Sequence, residues 1–396
     1  MERSKIRVLV IKSIITPDKI SKTKDQNDII FVTEDKVNQL NSNIIFTYLF
    51  IIPRANFIFS FLSKKWNSYY SLQKNEYFFS YGRKIFILPQ IILPKRNSFR
   101  KLYFNFGLFL SKKRLDKIIK ELKPTIIHAH NVDNNAFIAK WISKKYKIPY
   151  IVTTREAKNI DQIIVNNLKS AKCLISLSKN EEYDNLLHLG IPCKIIPHGI
   201  DDTFYIEEVA LQNKLENLEL KKLKLLTVCR LLPYKHVELI INKLNEIKDK
   251  IDFEYRIYGD GPQFIQLKLL IEELGLIDKI VLQGRVSNEE IAQAMRASDL
   301  FILMSYPETF GRVFVESMAS GTPFIGQEKT GIYGLIEDKK DSFFSTPDDF
   351  IKHIQKLNAD REYLKKVSIQ ARKTAEIFKW ENVARDLIDI YTLYNK

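Results

Sequence analysis

The sequence has only three cysteines among 396 residues, Cys173, Cys193 and Cys229, and they are widely spaced. This spacing supports neither a disulfide framework nor a zinc site, so we expect reduced thiols in a cytoplasmic protein. Long hydrophobic runs are also absent, because Pro53 interrupts the most apolar region, residues 44–62. We therefore expect no membrane-spanning helix. The first residues do not form a secretory signal pattern.

No Asp-x-Asp triplet occurs in the chain, and its six histidines lack metal-ligand spacing. We therefore predict no metal site.

Acidic residues are scarce in one half only. Residues 1–200 carry 34 Lys and Arg against 15 Asp and Glu, whereas residues 201–396 carry 28 against 32. A basic first half attracts anionic surfaces such as lipid headgroups, phosphorylated substrates or nucleic acid. No recognised nucleic-acid module is present, so we predict no nucleic-acid partner.

Short β-rich runs alternate with helical patterns along the whole chain. This alternation predicts an α/β fold with parallel, doubly wound sheets, and the length predicts two domains. A polar stretch, residues 201–222, separates the two halves. The predicted strands are residues 6–11, 44–52, 84–89, 125–130, 150–154, 173–178 and 193–197, then 223–231, 253–259, 279–284, 299–305 and 323–326.

Polar or glycine-bearing segments follow four predicted strands of the second half. Parallel strands end at one edge of a sheet, so these segments are expected to meet where α/β sheets bind ligands. Two cations and a glycine near a helix N-terminus form an anion site suited to a diphosphate. The segments are CRLLPYK with Arg230 and Lys235, IYGDGP with Gly259, QGRVS with Arg285 and Val286, and SYPETFGRVFVES with Glu308, Gly311 and Glu316.

The two glutamates of the last segment are suited to hydroxyl groups. Gly311 opens a predicted helix whose free N–H groups and dipole favour a phosphate. Glu316 lies roughly 7 Å further along that helix, and its carboxylate can accept both vicinal hydroxyls of a ribose. Glu308, on the loop, is placed to hold hydroxyls of a sugar beyond the diphosphate. The ligand that these groups describe is a sugar nucleotide.

The order and spacing of these motifs resemble the retaining family-4 glycosyltransferases of GT-B fold. The resemblance extends to IIHAHN, to KIIPHGID and to the helix that begins at Trp380, so it covers about residues 120–396. It implies two Rossmann-like doubly wound domains that face a central cleft. The expected domains are an acceptor domain, residues 1–200, a donor domain, residues 201–378, and a helix that crosses back to the first domain, residues 379–396.

The resemblance also implies a role for each matching residue. His130 would line the cleft near the reacting carbon, and His128 is expected on the opposite face of its strand, as a satisfied core histidine. Departures from the family pattern concern acceptor recognition and the identity of the sugar: Arg155 replaces a histidine, and a Gly-Gly loop after the first strand is missing. The predicted catalytic residues are Glu308, His130, Arg230 and Lys235, and the predicted donor-binding residues are Arg230, Lys235, Gly259, Arg285, Val286, Glu308, Thr309, Phe310, Gly311 and Glu316.

The expected activity is retaining, metal-independent hexosyl transfer without a cofactor. A UDP- or GDP-sugar would donate to a lipid-linked or polysaccharide acceptor in cell-surface glycan biosynthesis.

Residues 99–122 mix aromatics with lysine and arginine, which fits either a core helix with a solvated basic face or a helix that docks on an anionic membrane surface. Docking would place a cytoplasmic protein on the inner face of the membrane. Alternatives are a nucleotide-sugar epimerase of the same fold, a non-catalytic relative that binds donor, and a basic nucleic-acid or membrane-binding module without transfer activity.

Overall fold

The computed structural model describes residues 5–13, 29–57, 61, 63–91, 100–154, 161–179, 181–218 and 222–395. Arg155 and the greater part of the KSIITPDKISK loop lie outside the described residues. The chain divides into two compact units. The first unit comprises Met1–Leu177, Glu182–Ile196 and Val383–Lys396, and the second comprises Ser178–Glu181 and Pro197–Asn382.

The first unit contains an eight-stranded sheet in the order β3-β4-β2-β1-β5-β6-β7-β8. Neighbouring strands are parallel except β3 and β4, which form an antiparallel hairpin. The strands are β1 Ile6–Ser13, β2 Ile44–Pro53, β3 Tyr77–Ser80, β4 Arg83–Gln90, β5 Ile126–His130, β6 Tyr150–Thr153, β7 Cys173–Ser176 and β8 Cys193–Ile195. The helices are α1 Ile29–Leu40, α2 Lys64–Leu72, α3 Arg100–Leu122, α4 Asn134–Tyr146, α5 Gln162–Leu168 and α6 Glu181–Leu187.

The second unit contains a six-stranded, all-parallel sheet in the order β11-β10-β9-β12-β13-β14. Its strands are β9 Leu223–Val228, β10 Phe253–Tyr258, β11 Ile280–Gly284, β12 Leu300–Leu303, β13 Phe324–Gln327 and β14 Phe343–Ser345. Its helices are α7 Glu208–Glu216, α8 Val237–Asn245, α9 Phe264–Glu273, α10 Asn288–Ala297, α11 Arg312–Ala319, α12 Phe350–Ala359 and α13 Arg361–Thr374. The last helix, α14 Trp380–Tyr394, begins here and belongs to the first unit from Val383.

The parallel strands form because their sequences are apolar on both faces. In β1 the four consecutive residues Val8–Ile11 are completely buried, and in β12 the same holds for Leu300–Leu303. Strands that helices cover on both sides show such continuous Val, Ile and Leu runs, whereas half-exposed strands alternate. The prediction of two parallel-sheet α/β domains is therefore confirmed. Two short strands, β3 and β14, were not predicted.

The order of the strands determines where each sheet can bind a ligand. In the second unit the order reverses between β9 and β12, and in the first it reverses between β1 and β5. Loops leave the sheet in opposite directions at such a point, which opens a crevice at the carboxyl ends of the two strands. Arg230 and Lys235 follow β9, Glu308 follows β12, and His130 ends β5.

Candidate functional site

The loops after β9 and β12 lie together at the reversal point of the second sheet. The backbone N–H of Tyr306 donates to the carbonyl of Tyr234 at 2.9 Å, which joins them directly. Across this junction the Nζ of Lys235 lies 2.6 Å from Oε2 of Glu308. The same carboxylate oxygen accepts from the Ser305 hydroxyl at 3.1 Å. Two predicted site residues, 73 positions apart in the chain, are thus in contact.

The Lys235–Glu308 ion pair is largely shielded from solvent. The two side chains are only 14% and 15% exposed. An attraction between charges is stronger here than at a fully exposed surface, because less water surrounds them. The pair therefore holds one positive and one negative group at a fixed separation, which suits a ligand with a diphosphate next to a sugar.

The backbone of Glu308 is held by a neighbouring loop. Its N–H donates to the Thr330 hydroxyl at 2.8 Å, and its carbonyl accepts from that hydroxyl at 2.8 Å and from the N–H of Gly331 at 2.9 Å. Gly311 has φ +75°, and a Cβ there would lie 3.1 Å from Cγ of Glu308 and 2.5 Å from the Phe314 ring. Only glycine can therefore begin α11 at this distance from the carboxylate.

Gly259 brings the ends of three strands together. It has φ +136°, and a Cβ there would lie 1.8 Å from the carbonyl oxygen of Cys229. Its N–H donates to the carbonyl of Gly284 at 2.7 Å. The turn after β10 therefore packs against the residue before Arg230 and against the residue before Arg285. The predicted tight turn therefore requires glycine at position 259, because a side chain there would clash with the backbone of Cys229.

Arg230 and Arg285 are exposed on this edge, and Val286 is half-buried. Within the described part of the chain, neither guanidinium has an ion-pair partner. Both charges are therefore accessible to an anionic ligand. Next to Arg230, burial raises the pKa of the Cys229 thiol to about 12, so this side chain stays neutral beneath the cations.

Glu316 is buried in α11, with 7% of the residue exposed. Its carboxylate lies 3.3 Å from Nη2 of Arg312, one turn earlier in the helix. Burial raises the pKa of Glu316 above its ordinary value, an effect that Arg312 opposes and the nearby Asp201 reinforces. The structure gives no contact between Glu316 and Lys235 or Glu308, so Glu316 forms a second acidic position on the same helix.

The segment between the two glutamates is fixed by buried contacts within the second unit. The Ser178 hydroxyl donates to the carbonyl of Thr309 at 3.2 Å. The ring of Phe310 is buried and meets the rings of His198 and Phe378 edge-on, at 5.5 Å and 6.1 Å between centroids. The backbone N–H groups near Gly311 are therefore presented by a rigid turn.

His130 belongs to the first unit, where its ring stacks on His128 with 4.2 Å between centroids. The prediction that His128 lies on the opposite face was wrong, because residues two apart in a strand share a face. The prediction that it is a satisfied core histidine is confirmed. Its Nδ1 lies 2.7 Å from the Tyr391 hydroxyl and its Nε2 lies 2.7 Å from the Thr153 hydroxyl.

Sequence reasoning missed three residues that determine the geometry of the site. Ser305 and Thr330 hold the side chain and backbone of Glu308, and Arg312 pairs with Glu316. The spacing of four between Arg312 and Glu316 could have suggested their helix pair. Nothing in the sequence indicates that Thr330 meets Glu308. In the described ranges, no three His, Cys, Asp or Glu side chains cluster as metal ligands.

Two family models match the chain. The model for glycosyl transferases group 1 matches residues 211–374, and the glycosyl transferase 4-like model matches residues 92–179. The 4-like model matches a segment in the first half of the chain. The group 1 model matches a segment that contains the site residues from Arg230 to Glu316.

Relatives and a solved structure agree with these models. The chain is 24% identical over 335 residues to an alpha-monoglucosyldiacylglycerol synthase of Acholeplasma laidlawii, covering 77% of this chain and 83% of that protein. It is 25% identical over 310 residues to an N-acetyl-alpha-D-glucosaminyl L-malate synthase of Bacillus anthracis, covering 73% and 80%. The fold is similar to that of HepE from Anabaena in complex with UDP, with a TM-score of 0.67, 16% identity and coverage of 98% and 100%. The chain therefore belongs to the family-4 type glycosyltransferases of GT-B fold.

Proposed function

We propose that this glycosyltransferase is a retaining enzyme that moves a sugar from a nucleotide donor to a lipid-linked or polysaccharide acceptor. The observation that carries the proposal is the shielded Lys235–Glu308 contact at the reversal point of the second sheet, beside the exposed Arg230. The Acholeplasma relative is named for a glycosylated diacylglycerol, and the Anabaena structure contains UDP. The first name supports a lipid-bearing molecule as acceptor, and the second supports a nucleotide sugar as donor.

Each group in the site has a role in the proposed reaction. Arg230 and Lys235 neutralise the diphosphate as it leaves, which makes fixed cations the proposed alternative to a divalent metal. Glu308 holds hydroxyls of the transferred sugar, and Gly311 offers free N–H groups at the start of α11. The Gly284–Val286 turn contacts the base. A UDP-sugar or a GDP-sugar is the proposed donor. The participation of His130 in the reaction stays a prediction.

A binding screen tests the donor class first. Thermal unfolding is measured with a panel of sugar nucleotides, and the donor is expected to raise the unfolding temperature through mass action. Turnover of that donor should then require an acceptor. Donor consumed without an acceptor, with inversion at a sugar carbon, would identify an epimerase instead.

Glu316→Ala is expected to weaken binding of the nucleoside diphosphate about tenfold or more, because two hydrogen bonds from the ribose lose a charged acceptor. Isothermal calorimetry with UDP and GDP measures this. Arg312→Ala is the matched control, since it removes the ion-pair partner and keeps the carboxylate. Unchanged affinity in Glu316→Ala, or equal losses in both variants, would refute the ribose role.

We further propose that the first unit docks on an anionic membrane surface through α3. None of the described helices combines the length and the hydropathy of a membrane span. However, α3 exposes an apolar stripe along one face, which comprises Leu102 (67% exposed), Phe106 (53%), Phe109 (74%) and Leu110 (44%). The exposed Lys112 and Lys113 follow directly. An apolar face bordered by lysines suits the interface of an anionic bilayer.

Phe106→Ser combined with Phe109→Ser is expected to reduce flotation with anionic vesicles at least tenfold. Burying each phenylalanine contributes about 1.5–3 kcal/mol, which the variant loses. Ile265→Ser is the control, because Ile265 is 65% exposed on α9 of the second unit. Wild-type flotation that is equal on neutral vesicles would contradict the electrostatic part of the proposal.

A further inference from the structure

Two polar residues end adjacent strands of the first sheet, away from the reversal point. Gln90 is the last residue of β4, and Arg54 follows β2. The backbone N–H of Arg54 donates to the carbonyl of Gln90 at 2.7 Å, so the two positions are joined. They lie at the carboxyl edge of the sheet, which is the edge where α/β sheets bind ligands.

Two guanidinium groups meet the same stretch of α3 here. Nη2 of Arg54 donates to the Ser111 hydroxyl at 2.9 Å. Arg114, one turn later, donates from Nη1 to the carbonyl of Gln73 at 3.2 Å. The side chain of Gln73 in turn accepts from the N–H of Ala55, the residue after Arg54, at 3.1 Å. Gln73 thus connects Arg114 to the residue that follows Arg54.

Neither arginine has a carboxylate within ion-pair distance, as far as the structure describes the chain. Glu76 lies within electrostatic range of Arg114, but its carboxylate is paired with Lys117 at 2.7 Å. Burial, followed by the neighbouring charge of Arg114, lowers the pKa of the Arg54 guanidinium. Two like charges therefore lie together without a neutralising group of their own.

Buried polar atoms at the same place also lack partners. Gln90 is completely buried, and neither Nε2 nor Oε1 of its amide has a hydrogen-bond partner among the described residues. The same is true of Nε of Arg54. Leaving such atoms unsatisfied costs about 1–3 kcal/mol each, and folded proteins rarely do so without a reason. The helix packs closely over them, since a Cβ at Gly107 would lie 2.7 Å from Oε1 of Gln90.

We propose that Arg54 and Arg114, beside the buried Gln90 amide, bind a phosphate group. Two guanidinium groups call for a ligand with two negative charges and several acceptor oxygens, which a phosphomonoester or diphosphate supplies and a single carboxylate does not. Arg114 and the exposed apolar stripe lie on the same helix, one turn apart. The phosphate therefore belongs to a lipid headgroup or to a soluble phosphate ester. Its identification as part of the acceptor depends on the proposed function.

The test measures phosphate binding while UDP saturates the donor site. Glycerol 3-phosphate is titrated by calorimetry, and flotation uses vesicles that contain phosphatidic acid or the same fraction of phosphatidylglycerol. We expect tighter binding to phosphatidic acid, the phosphomonoester. Arg114→Gln should weaken binding of the phosphomonoester probe about tenfold. Lys120→Gln, a change of the same charge at an exposed position in the last turn of α3, should have less than about a twofold effect.

The outcomes separate the sources of the phosphate. A preference for phosphatidic acid over phosphatidylglycerol without binding of glycerol 3-phosphate assigns a lipid headgroup. Binding of glycerol 3-phosphate without that preference assigns a soluble ester, and both together support the shared chemistry. Binding to neither, or equal losses in Arg114→Gln and Lys120→Gln, overturns the proposal. Arg114→Lys keeps the charge without the planar fork, and should bind between wild type and Arg114→Gln even if Arg114→Gln is less stable. UDP affinity is expected to be unchanged in every variant, and wild-type protein that binds phosphate but not UDP would refute only the proposed function.

Discussion

Lys235→Ala is expected to reduce the rate of sugar transfer about 10²–10³-fold, as removal of one preorganised donor to a developing negative charge does in other enzymes. Nζ of Lys235 is held by Glu308 at 2.6 Å and is only partly solvated. It therefore needs little rearrangement when negative charge develops on the leaving diphosphate. Transfer is measured as acceptor-dependent release of the nucleoside diphosphate.

The ion pair of Lys243 with Glu246 provides the control, since it lies at 2.9 Å on the α8 helix that follows the site loop. Lys243→Ala removes the same charge from a position that carries no proposed role, and should leave transfer within about twofold. Lys235→Arg should retain part of the activity, because it keeps a cation at the diphosphate. A rate in Lys235→Ala equal to that of Lys243→Ala would exclude Lys235 from the reaction.

Glu308→Gln is expected to lower transfer about 10²-fold, while binding of the nucleoside diphosphate stays the same or becomes tighter. The amide keeps the shape of the carboxylate but loses the charge that pairs with Lys235 and accepts from Ser305. A sugar hydroxyl then loses a charged acceptor. The loss of stabilisation is larger in the transition state than in the ground state if the sugar gains positive charge there. Lys235, without its counter-charge, interacts more strongly with the diphosphate.

This split between transfer and binding distinguishes a residue that faces the sugar from one that only shapes the site. Calorimetry with the nucleoside diphosphate and steady-state transfer are measured on the same preparation. Glu246→Gln is the control, with both quantities expected to match wild type. Equal losses of transfer and nucleotide affinity in Glu308→Gln would place the carboxylate at the nucleotide and not at the sugar.

Much of the fold could be read from the sequence, because parallel strands are buried on both faces and carry continuous apolar runs. Strands such as β1 and β12 show this pattern over four or more residues. β3 was missed because four residues are too few to show a periodic pattern, and because the exposure of Tyr77 and Phe79 does not follow from their residue types. Its hairpin turn has positive φ at Tyr81 and Gly82. A tyrosine does not predict such a turn, because positive φ is uncommon for residues other than glycine.

The candidate site could be predicted as a set of residues but not as a set of contacts. Motif order indicated that Lys235 and Glu308 serve one ligand, and the structure shows them in contact. Motif order could not indicate that Glu316 pairs with Arg312, or that Thr330, 22 positions away on another loop, holds the backbone of Glu308. The face shared by His128 and His130 follows from strand periodicity alone, and was still predicted wrongly.

The sequence by itself determined the two parallel sheets, the uneven charge of the two halves and the types of residue that end the strands. These properties depend on composition and on short periodic patterns, which act locally. Only the tertiary structure decided which side chains meet. Lys235 and Glu308 are 73 positions apart in the sequence, and Arg54 and Ser111 are 57 positions apart. Such contacts depend on strand order and loop packing, and no local pattern encodes either.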